Sequence, residues 1–533
     1  MRMDSPASSN WTVSATAFVL AAATFCWFLI DGGLIEIGGD AYGRWEDLSN
    51  NVRSGKALGF NHHGTRWGIN LPILMFLKAV NSTHPFLYHM IMPVFGAGTA
   101  VALYLVVRPE ASTPARDIGA ALLIFAFMVI SPSERPFSQL LPMGAATFYM
   151  SASVLFLKYA WSSDSNYRLG HFLLAGVFCL CAYGTKLTLV WFAIPLSFVV
   201  FATRIAKRDF LSVGIFFAPV IVGLLVEVVV MYLGTGSFLG RAVNVLSSEG
   251  SHGVRSLGRL PSSADFGGWG FGTFWEYIFK SPQKFYEALG GYAWIIYFAV
   301  LHSLSLRVRS LGESSQASFE AVMQWTLIGF FLLQSYGVVH LSPYIFPEQS
   351  LHARYQYALL ALSVTYLSLR LLTFSQRDQS KTPTSVLSKS LLLPMLLFVA
   401  SFALLANPLL SKHNNYGILV TLIHNKVLTE WIDHGGLVGF RGEIVESGEV
   451  INVEKSMQRS LNQHIVSDYV RSIYRREYCE PDAAFVYRDH ESVYGLCQPW
   501  TPGSSVLIYY ATSYEFIQPE NLSYLGKYSD IVE

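Results

Sequence analysis

Charge and cysteine are both scarce in this chain. Only 14% of its 533 residues are Asp, Glu, Lys or Arg, against roughly a quarter in an average soluble domain, which excludes an ordinary cytosolic enzyme. The 37 basic and 36 acidic side chains cancel to +1, leaving no excess of one sign to attract nucleic acid or an acidic substrate. Five cysteines are too few for a disulfide scaffold, and there is no CxxC pair for a zinc ribbon or a redox centre. The first apolar run lacks a convincing small-residue cleavage site before Asp31, so it reads as an uncleaved span and not as a signal peptide.

Apolar length is abundant instead, with 52% of residues hydrophobic. Eleven stretches approach the ~20 residues that cross a bilayer core: near 12–30, 84–107, 117–131, 140–157, 169–183, 186–202, 211–233, 288–306, 321–340, 354–373 and 390–410. The run from 169 to 202 is too long for one crossing and is interrupted at Tyr183-Gly184-Thr185-Lys186, which suits a tight helical hairpin. With the N-terminus cytoplasmic, the short inner loops carry fourteen Lys and Arg, and the short outer loops only Arg135 and Arg354. That bias sets the orientation. It predicts a multi-pass protein of the inner (plasma) membrane, with residues 31–83, 234–287 and everything from Ser411 on the periplasmic side.

The near-zero net charge hides two environments. Residues 1–410 hold 27 Lys and Arg against 20 Asp and Glu, whereas 411–533 hold 10 against 16. The second segment alternates apolar and polar residues, as in AAFVYRDHESVYGL and SSVLIYYATSYEFI, which reads as strands. Cys479 and Cys497 are its only cysteines, and an oxidising compartment permits a disulfide between them. The expected architecture is a polytopic all-α membrane protein of about eleven transmembrane helices over 1–410. A small extracytoplasmic α/β or mostly β domain follows over 411–533.

The outer loops hold the candidate chemistry. Asp31, Glu36, Asp40, Glu46 and Asp47 fall within seventeen residues, followed by His62, His63 and Arg66. Exposed loop acids are common, but Asp40 follows Gly38-Gly39 at the exit of the first span and precedes Tyr42 and Trp45. A carboxylate held at a membrane surface serves as a general base toward a hydroxyl. Arg66 to Val80 reads as an amphipathic helix along the interface. The loop 234–287 is rich in glycine and aromatics, a lid candidate, and its Trp269 suits stacking on a sugar. Glu134 lies in the loop between the third and fourth spans, Lys186 at the hairpin tip and Arg354 at the start of the tenth span, while Glu227 lies inside the seventh. Ionisable groups at such depth are functional hypotheses by default, with snorkelling to head groups as the plain alternative for the two cations.

These segments, in this order, resemble the GT-C superfamily of glycosyltransferases that use polyprenyl-phosphate sugars, such as protein O-mannosyltransferases and the aminoarabinose transferases of lipid A. The resemblance spans about residues 12–375. It rests on GGDAYGRWEDLSNNVRSG, on HHGTRWGINLPI, on Gly184-Thr185-Lys186 and on HARYQYALLALS. It implies a GT-C-like fold, a polyprenyl-phosphate sugar as donor, and a glycan, lipid or protein hydroxyl as acceptor. Asp40 would be the base, and Lys186 and Arg354, with Arg66 and Tyr355, would hold the donor phosphate. Tyr42, His62, His63 and Trp269 would contact substrate. Family members often carry a second acid beside a proline at the start of the fourth span. Here that place reads LLPMGAAT, and Glu134 is the substitute. Some members need a divalent cation, which the sequence neither requires nor excludes. Adjacent His62 and His63 point in different directions and are taken as polar wall, not metal ligands. A lipid-linked sugar flippase and a polysaccharide polymerase or ligase are the alternatives.

Overall fold

The structure is a computed structural model. It describes residues 6–31, 40–55, 57–60, 64–83, 85–108, 113–129, 136–137, 140–162, 165–238, 275, 286, 289–305, 315–336, 338–340, 346–347 and 353–377, together with 437–442, 485–489, 492–496, 506–509 and 514–517. The helices are α1 (Pro6–Asp31), α2 (Asp40–Ser54), α3 (Trp67–Val80), α4 (Pro85–Val107), α5 (Pro114–Val129), α6 (Pro142–Ser162), α7 (Ser165–Thr185), α8 (Val190–Ala206), α9 (Phe210–Thr235), α10 (Ala293–Ser305), α11 (Ser315–Tyr336) and α12 (Ala353–Arg377). Ten of the eleven apolar stretches are thus helical, and the eleventh, 390–410, lies outside the described residues, as does the expected domain boundary. Among the described residues, five segments are both long and apolar enough to cross a membrane: Trp11–Leu29, Met90–Val107, Tyr167–Thr185, Leu187–Ala206 and Phe210–Thr235.

The more polar helices take the central positions. In α6, sixteen of twenty-one residues are buried, including Thr147, Ser151 and Ser153. Their hydroxyls are satisfied without water: Thr147 donates to the Met143 carbonyl at 2.8 Å, Ser151 to Thr147 at 2.8 Å, and Ser153 crosses to the Ala175 carbonyl of α7 at 2.9 Å. Residues Gln356–Leu369 of α12 are likewise buried, and Gln334 of α11 donates to Gln356 at 2.5 Å. A helix ringed by other helices needs small and hydrogen-bonded residues, not lipid-matching ones. At the other extreme, the apolar α9 buries only Ser212, Phe216, Glu227 and Met231 and turns the rest outward.

Close approach between helices is set by glycine. A Cβ on Gly176 of α7 would stand 2.1 Å from the Phe216 carbonyl oxygen of α9, and one on Gly223 of α9 would stand 2.2 Å from Leu180. Residues 176, 180 and 183 of α7 meet 216, 223 and 227 of α9 in ascending order, so the two helices run parallel. That is what one intervening crossing, α8, requires. The predicted break falls at Lys186, which is extended (φ −140°, ψ 120°) between α7 and a 3-10 turn, Leu187–Leu189. Beyond the turn the helices separate: α7 packs on α6 and α9, whereas α8 packs mainly on α11. The expected tight hairpin is therefore tight only at its tip.

The short helix α3 forms within the stretch expected to lie along the interface. Gly68, Ile69, Asn70, Ile73 and Leu77 face inward, but the outward face carries Leu71, Met75 and Phe76, all exposed. Apart from exposed Lys78, that outward face is apolar and suits lipid contact. Asn81 ends it in the left-handed conformation (φ 48°). After α11 two short strands, β1 (Val338–His340) and β2 (Phe346–Pro347), pair antiparallel. In the C-terminal segment, β3 (Leu437–Gly442), β4 (Phe485–Asp489), β5 (Ser492–Leu496), β6 (Val506–Tyr509) and β7 (Tyr514–Ile517) form a sheet of order β4-β5-β3-β6-β7. Pairing is antiparallel except between β3 and β6.

The glycine contacts can be tested in pairs. Gly176→Ala should destabilise by about 1–3 kcal/mol through overpacking against backbone. Gly170→Ala, on the same helix with no heavy atom within 4 Å of the new Cβ, should be neutral or stabilising by up to about 1 kcal/mol. Thermal unfolding of the two variants in one detergent should separate them, and equal shifts would contradict the α7–α9 packing.

Candidate functional site

At the end of the bundle where α1 terminates, α2 and α3 lie against the starts of α6 and the ends of α7 and α9. Docking of α2 depends on Arg44, whose Nη1 donates to the Leu140 carbonyl at 2.6 Å just before α6. Arg44, Trp45, Leu48 and Ser49 are all buried, which fixes the rotation of α2 about its axis. Asp40 is the first residue of that helix, one turn before Arg44.

The start of α3 is locked to the end of α7. Gly68 sits so close to α7 that a Cβ would come within 2.6 Å of the Cys181 carbonyl oxygen, the Thr185 hydroxyl and the Thr185 backbone nitrogen. Reciprocally, a Cβ on Gly184 would stand 2.3 Å from the Trp67 indole. Pro72 supplies a third element. It cannot donate to the carbonyl four residues earlier, which is that of Gly68. The Tyr149 hydroxyl of α6 donates to that carbonyl instead, at 3.0 Å. A helix defect in one segment is thereby turned into a cross-link to a second.

Glu227 completes the lock. It is the only acid in α9, buried, and its two carboxylate oxygens accept from different segments: Oε2 from Trp67 Nε1 at 2.6 Å and Oε1 from the Tyr183 hydroxyl at 3.0 Å. In a low-dielectric interior such hydrogen bonds are strong, and an orphaned donor is correspondingly costly. Flanking the lock in sequence are two cations, Arg66 before Trp67 and Lys186 after Thr185, and both are 5% exposed. Arg66 lies at the N-terminus of α3, where its carbonyl accepts from Ile69 and Asn70. Lys186 is held by backbone bonds to Ala182 and Leu189. The structure therefore carries these two expected phosphate ligands on segments in van der Waals contact.

Of the other expected site residues, Asp40 and Tyr42 open α2 and Arg354 and Tyr355 open α12, with side chains outside the described set. Glu134, His62, His63 and Trp269 also lie outside it. Trp67, Tyr183, Tyr149 and Arg44 are additions that only the structure supplies. A lone acid in an apolar span signals that partners must exist, but nothing in the sequence points to a tryptophan 160 positions away. Among the described residues, no three His, Cys, Asp or Glu side chains converge to hold a metal ion.

No family model matches this chain, and no curated protein does. Among solved structures it is similar to the oligosaccharyltransferase AglB of the archaeon Archaeoglobus fulgidus in complex with an inhibitory peptide and a dolichol-phosphate, with 12% identity and a TM-score of 0.41, covering 81% of this chain and 58% of that one. The apo form of the Archaeoglobus fulgidus oligosaccharyltransferase gives 12% identity, a TM-score of 0.44 and coverage of 87% and 60%. Its complex with zinc and sulfate gives 13%, 0.43, and 87% and 57%. The chain thus spans less than two thirds of those proteins, and the chemistry below is argued from its own residues.

A double-mutant cycle on Trp67→Phe and Glu227→Gln should give a coupling of about 1–2 kcal/mol in thermal stability. Additivity would mean that the indole and the carboxylate do not act on one another.

Proposed function

We propose that the chain is an integral membrane glycosyltransferase that moves a sugar from a polyprenyl-phosphate donor to an acceptor hydroxyl at the α2–α3 end of the bundle, on the extracytoplasmic side. The observation that carries the proposal is the pair Arg66 and Lys186, two buried cations set on rigidly joined segments. Two charges removed from water and fixed by packing are suited to stabilise negative charge that develops as a bond breaks, since they need no reorganisation at that moment. The departing phosphate of a lipid carrier is such a charge, and its apolar tail is accommodated by the outward lipid-facing surfaces of α3 and α9.

In this reading Asp40 removes the proton of the acceptor hydroxyl. The resulting oxygen attacks the anomeric carbon, and the bond from that carbon to the phosphate oxygen breaks, with its electron pair leaving on polyprenyl phosphate. The sugar carbon carries oxocarbenium character in the transition state, as in other glycosyl transfers. Arg66 and Lys186, with Arg354 and Tyr355 from the start of α12, receive the phosphate. Glu134 is a second acid for the acceptor, and Tyr42, His62, His63 and Trp269 line the sugar and acceptor. Positive charge for the phosphate comes from the chain's own side chains. Glycan, lipid and protein acceptors all satisfy the chemistry.

The test is transfer by purified protein in liposomes supplied with a polyprenyl-phosphate sugar. Asp40→Asn should lower kcat by about 10²–10⁴-fold, the usual worth of a general base, while donor still binds. Lys186→Ala and Arg66→Ala should each lower kcat/KM for the donor by about 10²-fold, the scale of a lost charge stabiliser. Lipid translocation with neither transfer nor donor hydrolysis would make the chain a flippase and defeat the proposal.

A further inference from the structure

The opposite end of the bundle carries a second cluster of cations. Arg204, in the last turn of α8, is 7% exposed, its guanidinium lying 4.0 Å from the centre of the Trp161 ring and 4.7 Å from that of Phe172. Arg168, in the first turn of α7, reaches the same carboxylate: Asp209 Oδ2 is 3.5 Å from Arg204 Nη1 and 3.5 Å from Arg168 Nη2. Lys207 and Arg208 follow directly and are exposed, Arg208 with a left-handed backbone (φ 55°). Four cations from the ends of two helices and the turn after α8 therefore share one described acid. Oδ1 of that acid is already engaged in capping α9 through the Ser212 backbone N–H.

Two features point to a ligand. The Nε groups of Arg204 and Arg168 are buried and make no hydrogen bond among the described residues, although a buried donor normally finds an acceptor. Partial burial of its ammonium, and then the nearby Arg204 charge, also lower Lys207 below its ordinary value. Aromatic and apolar side chains surround the cluster in sequence: Tyr167 is 76% exposed, Phe210 64% and Leu211 62%. Exposed rings and aliphatic groups beside cations are the composition of a membrane interface.

Depth along the helices agrees. Arg168 and Lys186 lie eighteen residues apart along α7 and its end, so at 1.5 Å per residue the two cation clusters are separated by about 27 Å. That is close to the ~30 Å thickness of the hydrocarbon core. The cluster therefore falls at the second interface.

We infer that Arg168, Arg204, Lys207 and Arg208 form a binding site for the phosphate of an anionic phospholipid head group in the leaflet opposite the Asp40 end. The guanidinium of Arg204, lying over the Trp161 ring, and that of Arg168 meet the phosphate oxygens as planar donors. Lys207 and Arg208 add charge at the rim, and the acyl chains lie along the exposed apolar surface of α9. The inference does not rest on the proposed transferase activity, because no residue of the α2–α3 end takes part.

Native mass spectrometry of the full chain, titrated with phosphatidylglycerol, tests it. The tightest retained phosphatidylglycerol should be lost from the double variant Lys207→Ala/Arg208→Gly with about a 25-fold weaker apparent affinity, near fivefold per cation. Both positions are exposed, and glycine relaxes the backbone at 208, so the variant should fold. Lys186→Ala should keep wild-type affinity at this site, which separates it from the donor site. Phosphatidylcholine should bind no more tightly than background, and millimolar inorganic phosphate should not displace the lipid. Unchanged affinity in the double variant, or equal retention of phosphatidylcholine, would overturn the site. Displacement by inorganic phosphate would assign it to a soluble anion and defeat the lipid reading.

Discussion

Everything at the candidate site hangs on the contact between the start of α3 and the end of α7. Two glycines, Gly68 and Gly184, allow these segments to approach until backbone meets hydroxyl and ring meets Cα. Glu227 then ties the same pair to α9 through Trp67 and Tyr183, and Tyr149 ties α3 to α6 through the carbonyl that Pro72 leaves without its helical partner. Four segments distant in sequence are joined within a few residues. Arg66 and Lys186 sit at the edges of that joint, so their positions follow from backbone geometry and not from the preferences of two long side chains. Without the joint, both would have the freedom of surface cations, and the rotamer entropy of fixing them would oppose binding.

The bundle divides polar work between its two ends. Toward the Asp40 end, Arg66 and Lys186 are buried near Glu227, whose carboxylate accepts from Trp67 and Tyr183. Toward the other end, charges are paired or used as caps. Lys158 donates to carbonyls at and just beyond the end of α4, those of Leu105, Val106 and Arg108. Arg108 pairs with Asp117 at 2.9 Å, and Arg370 pairs with Glu320. The Arg168–Arg204–Asp209 group is the exception there, with more cation than acid. That imbalance makes it a binding surface instead of another structural pair.

Much of the fold was legible because it is written in length. Runs such as Phe210–Thr235 leave little choice but a crossing helix, and Tyr183-Gly184-Thr185-Lys186 marked the break where the chain turns. The arrangement of helices was not legible. The stretch 140–157 was legible as a span, but not that the serines and threonines of α6 suit it to a central place in the bundle. The helix at α3 was legible, but its apolar outward residues Leu71, Met75 and Phe76 did not reveal which face packs on the bundle. At the site, Lys186 was visible as a deep cation and Glu227 as an acid inside a span, while Arg66 entered only as an outer-loop residue that the family resemblance pointed to. Their common anchorage was hidden, because a Trp–Glu bond across 160 positions leaves no local pattern.

The central claim is that Arg66 and Lys186 receive a lipid phosphate. Electron cryomicroscopy of the full chain bound to a polyprenyl phosphate tests it most directly. The account predicts phosphate density within hydrogen-bonding distance of the Lys186 ammonium and the Arg66 guanidinium, at the α2–α3 end of the bundle. Phosphate density anchored elsewhere, with those two side chains facing protein alone, would contradict it.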